Sequence, residues 1–160
     1  MELGIAAIGI TCVALCAMPF VLTNRNTKNK EKLVLMSLKD VAKQHDCEIT
    51  EYEIFGHYAI GIDNVTKSVC FILNTRKVIK QQFVNLSTVN NCEITNVSRS
   101  LAQKGKIIDR LNLNLSPIDK NKPDTVLEFY DADVNYQLSG ELQSIEKWNK
   151  LIKNMLKSKK

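Results

Sequence analysis

Residues 3–22 contain no charged side chain, and most of them are strongly apolar. No other feature of the chain is as constraining. A helix rises about 1.5 Å per residue, so about 20 such residues cross a hydrocarbon core of roughly 30 Å. A core helix of that length would show polar positions at helical spacing, and this stretch has none. A cleaved secretory signal needs a basic start, an apolar run of about 7–15 residues and a small-x-small cleavage site. Here the only early charge is Glu2, the run is longer, and no A-x-A site follows. A lipoprotein signal would place a small residue before its cysteine. Cys16 instead follows Leu15, and the apolar run continues through Ala17, Met18, Phe20, Val21 and Leu22. The expectation is a transmembrane helix over residues 3–22. Pro19 sits one turn from its end, where a kink costs little.

Charge sets the expected orientation. The N-terminal flank carries Glu2 and no basic side chain, whereas residues 24–32 carry Arg25, Lys28, Lys30 and Lys32 against Glu31. Basic residues close to a membrane end stay cytoplasmic. The N-terminus is therefore expected outside, and residues 24–160 in the cytoplasm. Of the 160 residues, about 138 remain beyond the span, enough for one compact domain and too few for two. With 44% hydrophobic residues and three prolines, that remainder is not a disordered tail.

The net charge of +5 is unevenly distributed: residues 33–146 sum to −3, residues 24–32 to +3, and residues 147–160 hold six lysines and no acid. Positive charge is thus confined to two ends. Each lysine near an anionic leaflet contributes about 1 kcal/mol, within a Debye length. The candidate membrane-surface contacts are Arg25, Lys28, Lys30, Lys32, Lys153, Lys157, Lys159 and Lys160. Nucleic acid is not expected as a partner, because the body is acidic and only 6% of the residues are aromatic, with no basic stripe interleaving them.

Residues 30–46 read as an amphipathic helix, with Leu35, Leu38, Val41 and Ala42 on one stripe. From Ile49 to about Tyr130 the periodicity changes to strands. Residues 58–63 and 67–74 form a hairpin around Asn64, Val65 and Thr66, and residues 77–84 follow after a second tight link. Residues 92–97 make a further strand, with Cys92, Ile94 and Val97. Residues 106–115 alternate, Ile107, Asp109, Leu111, Leu113 and Leu115 opposing Ile108, Arg110, Asn112 and Asn114. Residues 125–130 form the last strand, and residues 99–105 and 116–124 read as loops. Short strands with tight links predict an antiparallel meander. A C-terminal helix over residues 142–157 carries the stripe Leu142, Ile145, Trp148, Leu151, Ile152 and Met155, with Trp148 expected in the core.

The fold class expected is therefore α+β, mainly β. Its parts are a transmembrane helix (3–22), a basic linker with an amphipathic helix (23–48), and a strand meander or partly open barrel closed by a C-terminal helix (49–158). A meander of six or seven strands closed by one Trp-bearing helix resembles the pleckstrin-homology-like (PH-like) fold. The stretches Tyr58-Ala-Ile-Gly-Ile-Asp63, Val84-Asn-Leu-Ser-Thr-Val89, Cys92-Glu-Ile94, Leu127-Glu-Phe-Tyr130, Gly140-Glu141 and Lys147-Trp148 resemble small bacterial membrane-anchored proteins with such a domain. The resemblance covers about residues 50–157. It implies an interaction module for lipids, peptides or proteins. Phosphoinositide-binding members cluster Lys and Arg around the first hairpin. Here that hairpin holds only Lys67, so the headgroup site is not carried over.

Catalytic chemistry has little to stand on. His45, Asp46 and Cys47 are adjacent in sequence and point in different directions, so they make no nucleophile–base pair. His57 reads as a solvated turn residue, and Asp131 and Asp133 as solvated loop acids. Cys47, Cys70 and Cys92 are an odd set without zinc or disulfide spacing; Cys70 and Cys92 read as small buried hydrophobes. Four N-x-S/T sequons, at Asn64, Asn85, Asn96 and Asn114, carry no meaning in a cytoplasmic domain. No cofactor, metal or small-molecule substrate is expected. The expected function is a non-enzymatic, single-pass membrane adaptor whose protein partner uses an exposed sheet edge or the groove beside the C-terminal helix. The alternative is an accessory subunit of a membrane complex assembled through residues 3–22, where the small Ala7 and Thr11 permit close helix packing.

Overall fold

A computed structural model describes residues 31–75, 78–101, 105–135 and 137–158. Residues 3–22, and with them the expected span, lie outside these; among the described residues no helix is long and apolar enough to cross a membrane. The chain divides between Ser37 and Leu38, and the account below concerns the unit that begins at Leu38. Helix α1, residues 31–43, crosses that boundary.

The unit is mainly β, with two antiparallel sheets. The first has the order β1(Glu51–Phe55), β2(Tyr58–Asp63), β3(Ser68–Asn74), β4(Ile79–Asn85). A single 3-10 turn, Leu86–Thr88, leads into the second, ordered β5(Val89–Leu101), β6(Gly105–Pro117), β7(Thr125–Asp131). Helix α2(Glu141–Lys157) follows. Both sheets are open, since β4 and β5 are not ladder neighbours, nor are β1 and β7.

Alternation explains the first sheet. Tyr58, Ile60 and Ile62 on β2 face Val69, Phe71 and Leu73 on β3 in the main core. The opposite face, Ala59, Gly61, Cys70 and Ile72, is buried as well. The stripe Leu38, Val41 and Ala42 of α1 is buried too, at 0%, 4% and 1% exposure. A Cβ at Gly61 would stand 3.0 Å from two Ile49 side-chain carbons and 3.1 Å from Leu38 Cδ2, so a larger residue would have to push these side chains aside.

The second sheet departs from the expected short strands. Strands β5 and β6 each run 13 residues and pair as far as Leu101 with Gly105, so Arg99–Leu101 belong to a strand and not to a loop. The Arg99–Asp109 ion pair, 3.2 Å, spans this extension. The register also shifts, with Val97 opposite Arg110 and Ser98 opposite Ile108, leaving Asp109 as an extra residue. That bulge reverses the alternation, and Ile108, not Ile107, packs against the core with Leu111, Leu113 and Leu115. A second bulge at Phe129 lets adjacent Phe129 and Tyr130 both be buried.

Helix α2 matches its sequence pattern. Ile145, Trp148 and Ile152 are fully buried, and Leu142, Leu151 and Met155 pack at their margin. Glu141 occupies the first turn and Lys157 the last, which suits the helix dipole.

Candidate functional site

The polar side chains divide into those consumed within the fold and those that face outward. The largest inward set joins the start of α2 to the first sheet. Glu53 Oε2 accepts from Trp148 Nε1 at 2.6 Å and from Ser144 Oγ at 3.1 Å, while Tyr58 donates to Ser144 Oγ at 2.8 Å. Lys147 Nζ lies 3.6 Å from Glu53 and 3.7 Å from Glu51. Burial pushes the Tyr58 phenol well above its ordinary range, against the opposing pull of the Ser144 hydrogen bond; Glu53 and Glu141 raise it further.

His57 belongs to the inward set and is no solvated turn residue. Its Nε2 is 2.7 Å from the Phe129 carbonyl, which can only accept, so that nitrogen carries the proton. The pairing ties the β1–β2 turn to β7. Asp131 ends β7 and is no loop acid, with Arg110 at 3.5 Å, whereas Asp133 is solvated as expected, 81% exposed, with Arg110 at 3.7 Å. His45 stacks on Phe83 with ring centroids 3.8 Å apart, and Cys47 Sγ donates to the His45 backbone carbonyl at 3.2 Å.

Asp63 is a buried carboxylate with a structural role. It accepts from Glu48 N at 2.9 Å, Val65 N at 2.7 Å and Thr66 N at 3.2 Å, which shapes the β2–β3 turn. Burial alone would raise its pKa, but these hydrogen bonds outweigh burial and hold it below the usual value. Cys70 and Cys92 are buried free thiols, as their apolar contexts suggest, and burial pushes both up to about 12. At neutral pH they are protonated and poor nucleophiles. Among the described residues, no group of three or more His, Cys, Asp or Glu side chains is placed to hold a metal ion.

Open hollows lie at the margins of the sheets. Between the open edges of β4 and β7 lies a groove of about 290 Å³, bordered by Leu73, Val78, Gln82, Val126, Glu128 and Val134. Gln82 bridges it, its Nε2 donating to the Val126 carbonyl at 3.1 Å. Ile79, at the start of β4, is 72% exposed. The second feature is a cleft of about 450 Å³ between β5 and the end of α2, lined by Asn90, Asn91, Lys153, Leu156 and Lys157.

The second cleft brings together two of the basic residues singled out from sequence, Lys153 and Lys157. Lys32 lies in α1 before the unit boundary, and Arg25, Lys28, Lys30, Lys159 and Lys160 lie outside the described residues. Lys67 is a cation that the charge runs do not reveal. Its Nζ reaches Ser158 Oγ, the residue that ends α2, at 3.4 Å. The two are 91 positions apart, so only the tertiary fold makes them neighbours.

Comparison of the chain with protein-family models, with curated proteins and with solved structures returns no match.

Proposed function

We propose that the chain is a single-pass membrane-anchored interaction module with a PH-like domain. It is held at the cell membrane by residues 3–22, keeps that domain on the cytoplasmic side, and has no catalytic activity. Four strands, then three, then one helix with a buried Trp148 support the PH-like reading. The non-enzymatic reading is supported by how the reactive groups are used. Glu53, His57, Tyr58 and Asp63 all have hydrogen-bond partners inside the fold.

The observation that carries the adaptor reading is the open β4 edge facing β7 across an apolar-lined groove. An edge strand presents unpaired backbone N–H and C=O groups, and an extended partner segment can pair with them while its alternate side chains fill the groove. Val78, which borders this groove and is 51% exposed, is an apolar contact for such a segment.

The test uses photocrosslinking in intact cells. Benzoylphenylalanine is placed at position 78, on the groove, and, as a matched control, at position 97, where Val97 is an exposed apolar residue of β5. The expected result is a discrete protein adduct from position 78 and none from position 97. Adducts of equal yield from both positions, or none from either, sink the docking edge.

A further inference from the structure

The four edge strands are guarded differently. An exposed edge invites pairing with other chains, and folds blunt it with bulges, charges or a covering segment. Strand β5 carries an extra residue at Asn90 and β7 one at Phe129. Strand β1 is five residues long, and its Glu51 and Glu53 are engaged by Lys147 and Trp148 of α2. Strand β4 has no bulge. It pairs with β3 over all seven residues without a register shift, and Lys80 is its one charged side chain.

Gln82, the middle residue of β4, reaches out from this edge. It stands opposite Phe71 in the β3–β4 register, and Phe71 belongs to the core. Cross-strand neighbours share a face, so the Gln82 side chain leaves β4 on the core side, towards the second sheet. Its Nε2 donates to the Val126 carbonyl, 44 positions away in sequence.

That carbonyl lies on the open side of β7. Val126 is opposite Asn114 of β6. In an antiparallel ladder, opposite residues either exchange both backbone bonds or turn both groups outward. A carbonyl bonded across the groove is of the outward kind. The glutamine amide thus occupies the place that the backbone N–H of a neighbouring strand would take. Lys80 and Glu128, on opposite walls of the same groove, make no ion pair among the described residues. Their charges do not tie the walls together, whereas the Gln82 amide does.

We propose that Gln82 is a latch: its amide closes the β4–β7 groove in the free chain, and a docking segment must displace it. The latch presupposes the docking edge proposed above and adds its regulation. A strand seated between β4 and β7 brings its own N–H to Val126, so the bond broken on release is replaced on docking. While the groove is empty, the Val126 carbonyl stays satisfied and β4 is kept from pairing with stray strands. Affinity falls in return, because a partner meets only the unlatched fraction of the chain. A neutral hydrogen bond at a half-buried site shifts such a balance about fivefold.

Two measurements test the latch, each on the full chain with Gln82, Gln82→Ala or Gln82→Met. Methionine keeps the length and bulk of the side chain but has no donor. In detergent micelles, amide hydrogen exchange across residues 79–85 and 125–128 should quicken about fivefold in both variants. In cells, with benzoylphenylalanine at position 78, the adduct yield should rise about fivefold in both. Unchanged exchange in both variants overturns the latch. Quickened exchange in Gln82→Ala alone also overturns it, because bulk and not the hydrogen bond then holds the groove. Quickened exchange in both with a level or lower adduct yield overturns it too, and leaves the docking edge standing. Quickened exchange without an adduct from any of the three chains removes the docking edge itself and reduces Gln82 to a structural tie.

Discussion

The two ends of α2 use their polar groups in opposite ways. At the first turns, Ser144, Lys147 and Trp148 are all engaged with Glu53, and Trp148 is fully buried. At the last turns, Lys153 and Lys157 line an open cleft and have no acidic partner among the described residues. One helix therefore serves as structure at its beginning and as surface at its end. The contrast indicates where function should be sought: groups already satisfied inside a fold cannot leave it without cost, whereas unpaired surface charge is free to meet something else.

The largest effect should come from the structural end. Trp148→Ala removes a fully buried indole and leaves Glu53 without its N–H donor, and should cost about 3–5 kcal/mol. Chemical denaturation of the full chain in detergent measures it. A loss below about 1 kcal/mol would erase the distinction between the two ends.

An intermediate effect should come from Asp63, the buried acid beneath the β2–β3 turn. Its folded pKa lies below its unfolded value, so its contribution is complete above an unfolded value of about 3.9 and disappears as pH falls through the folded value. Asp63→Asn keeps one acceptor oxygen but sets an amide against an N–H donor, and should cost about 1–3 kcal/mol at neutral pH. Stability measured against pH should then show a shallower acid limb than the parent chain. An unchanged limb would mean that the turn is held by other contacts.

The smallest effect on stability belongs to the free end. Lys153→Gln with Lys157→Gln should shift unfolding by no more than about 0.5 kcal/mol. A larger loss would show that these lysines support the fold, and the contrast would fail.

Much of this architecture was legible because it is periodic. Leu111, Leu113 and Leu115 alternate, and Ile145, Trp148 and Ile152 recur at helical spacing, so each declares a buried face. What was not legible depends on partners distant in sequence. Asp109 becomes a bulge only because β5 opposes it, and the inward turn of Ile108 follows from that pairing. The polar Arg99 and Ser100 look like loop until β6 supplies their ladder. Lys153 and Lys157 could be read as a charge run, whereas Lys67 joins them only through the fold. His57 shows no local sign of its carbonyl partner, which lies 72 positions away.

The bonds from Glu53 to Trp148 and from Tyr58 to Ser144 span 95 and 86 positions. They have a consequence in time. During synthesis both sheets emerge before the helix that completes their core, and contacts so distant in sequence close late. A nascent chain halted before position 148 would display Tyr58, Phe71 and Phe129 without their cover. Until α2 packs, that apolar surface stays open to chaperones and proteases.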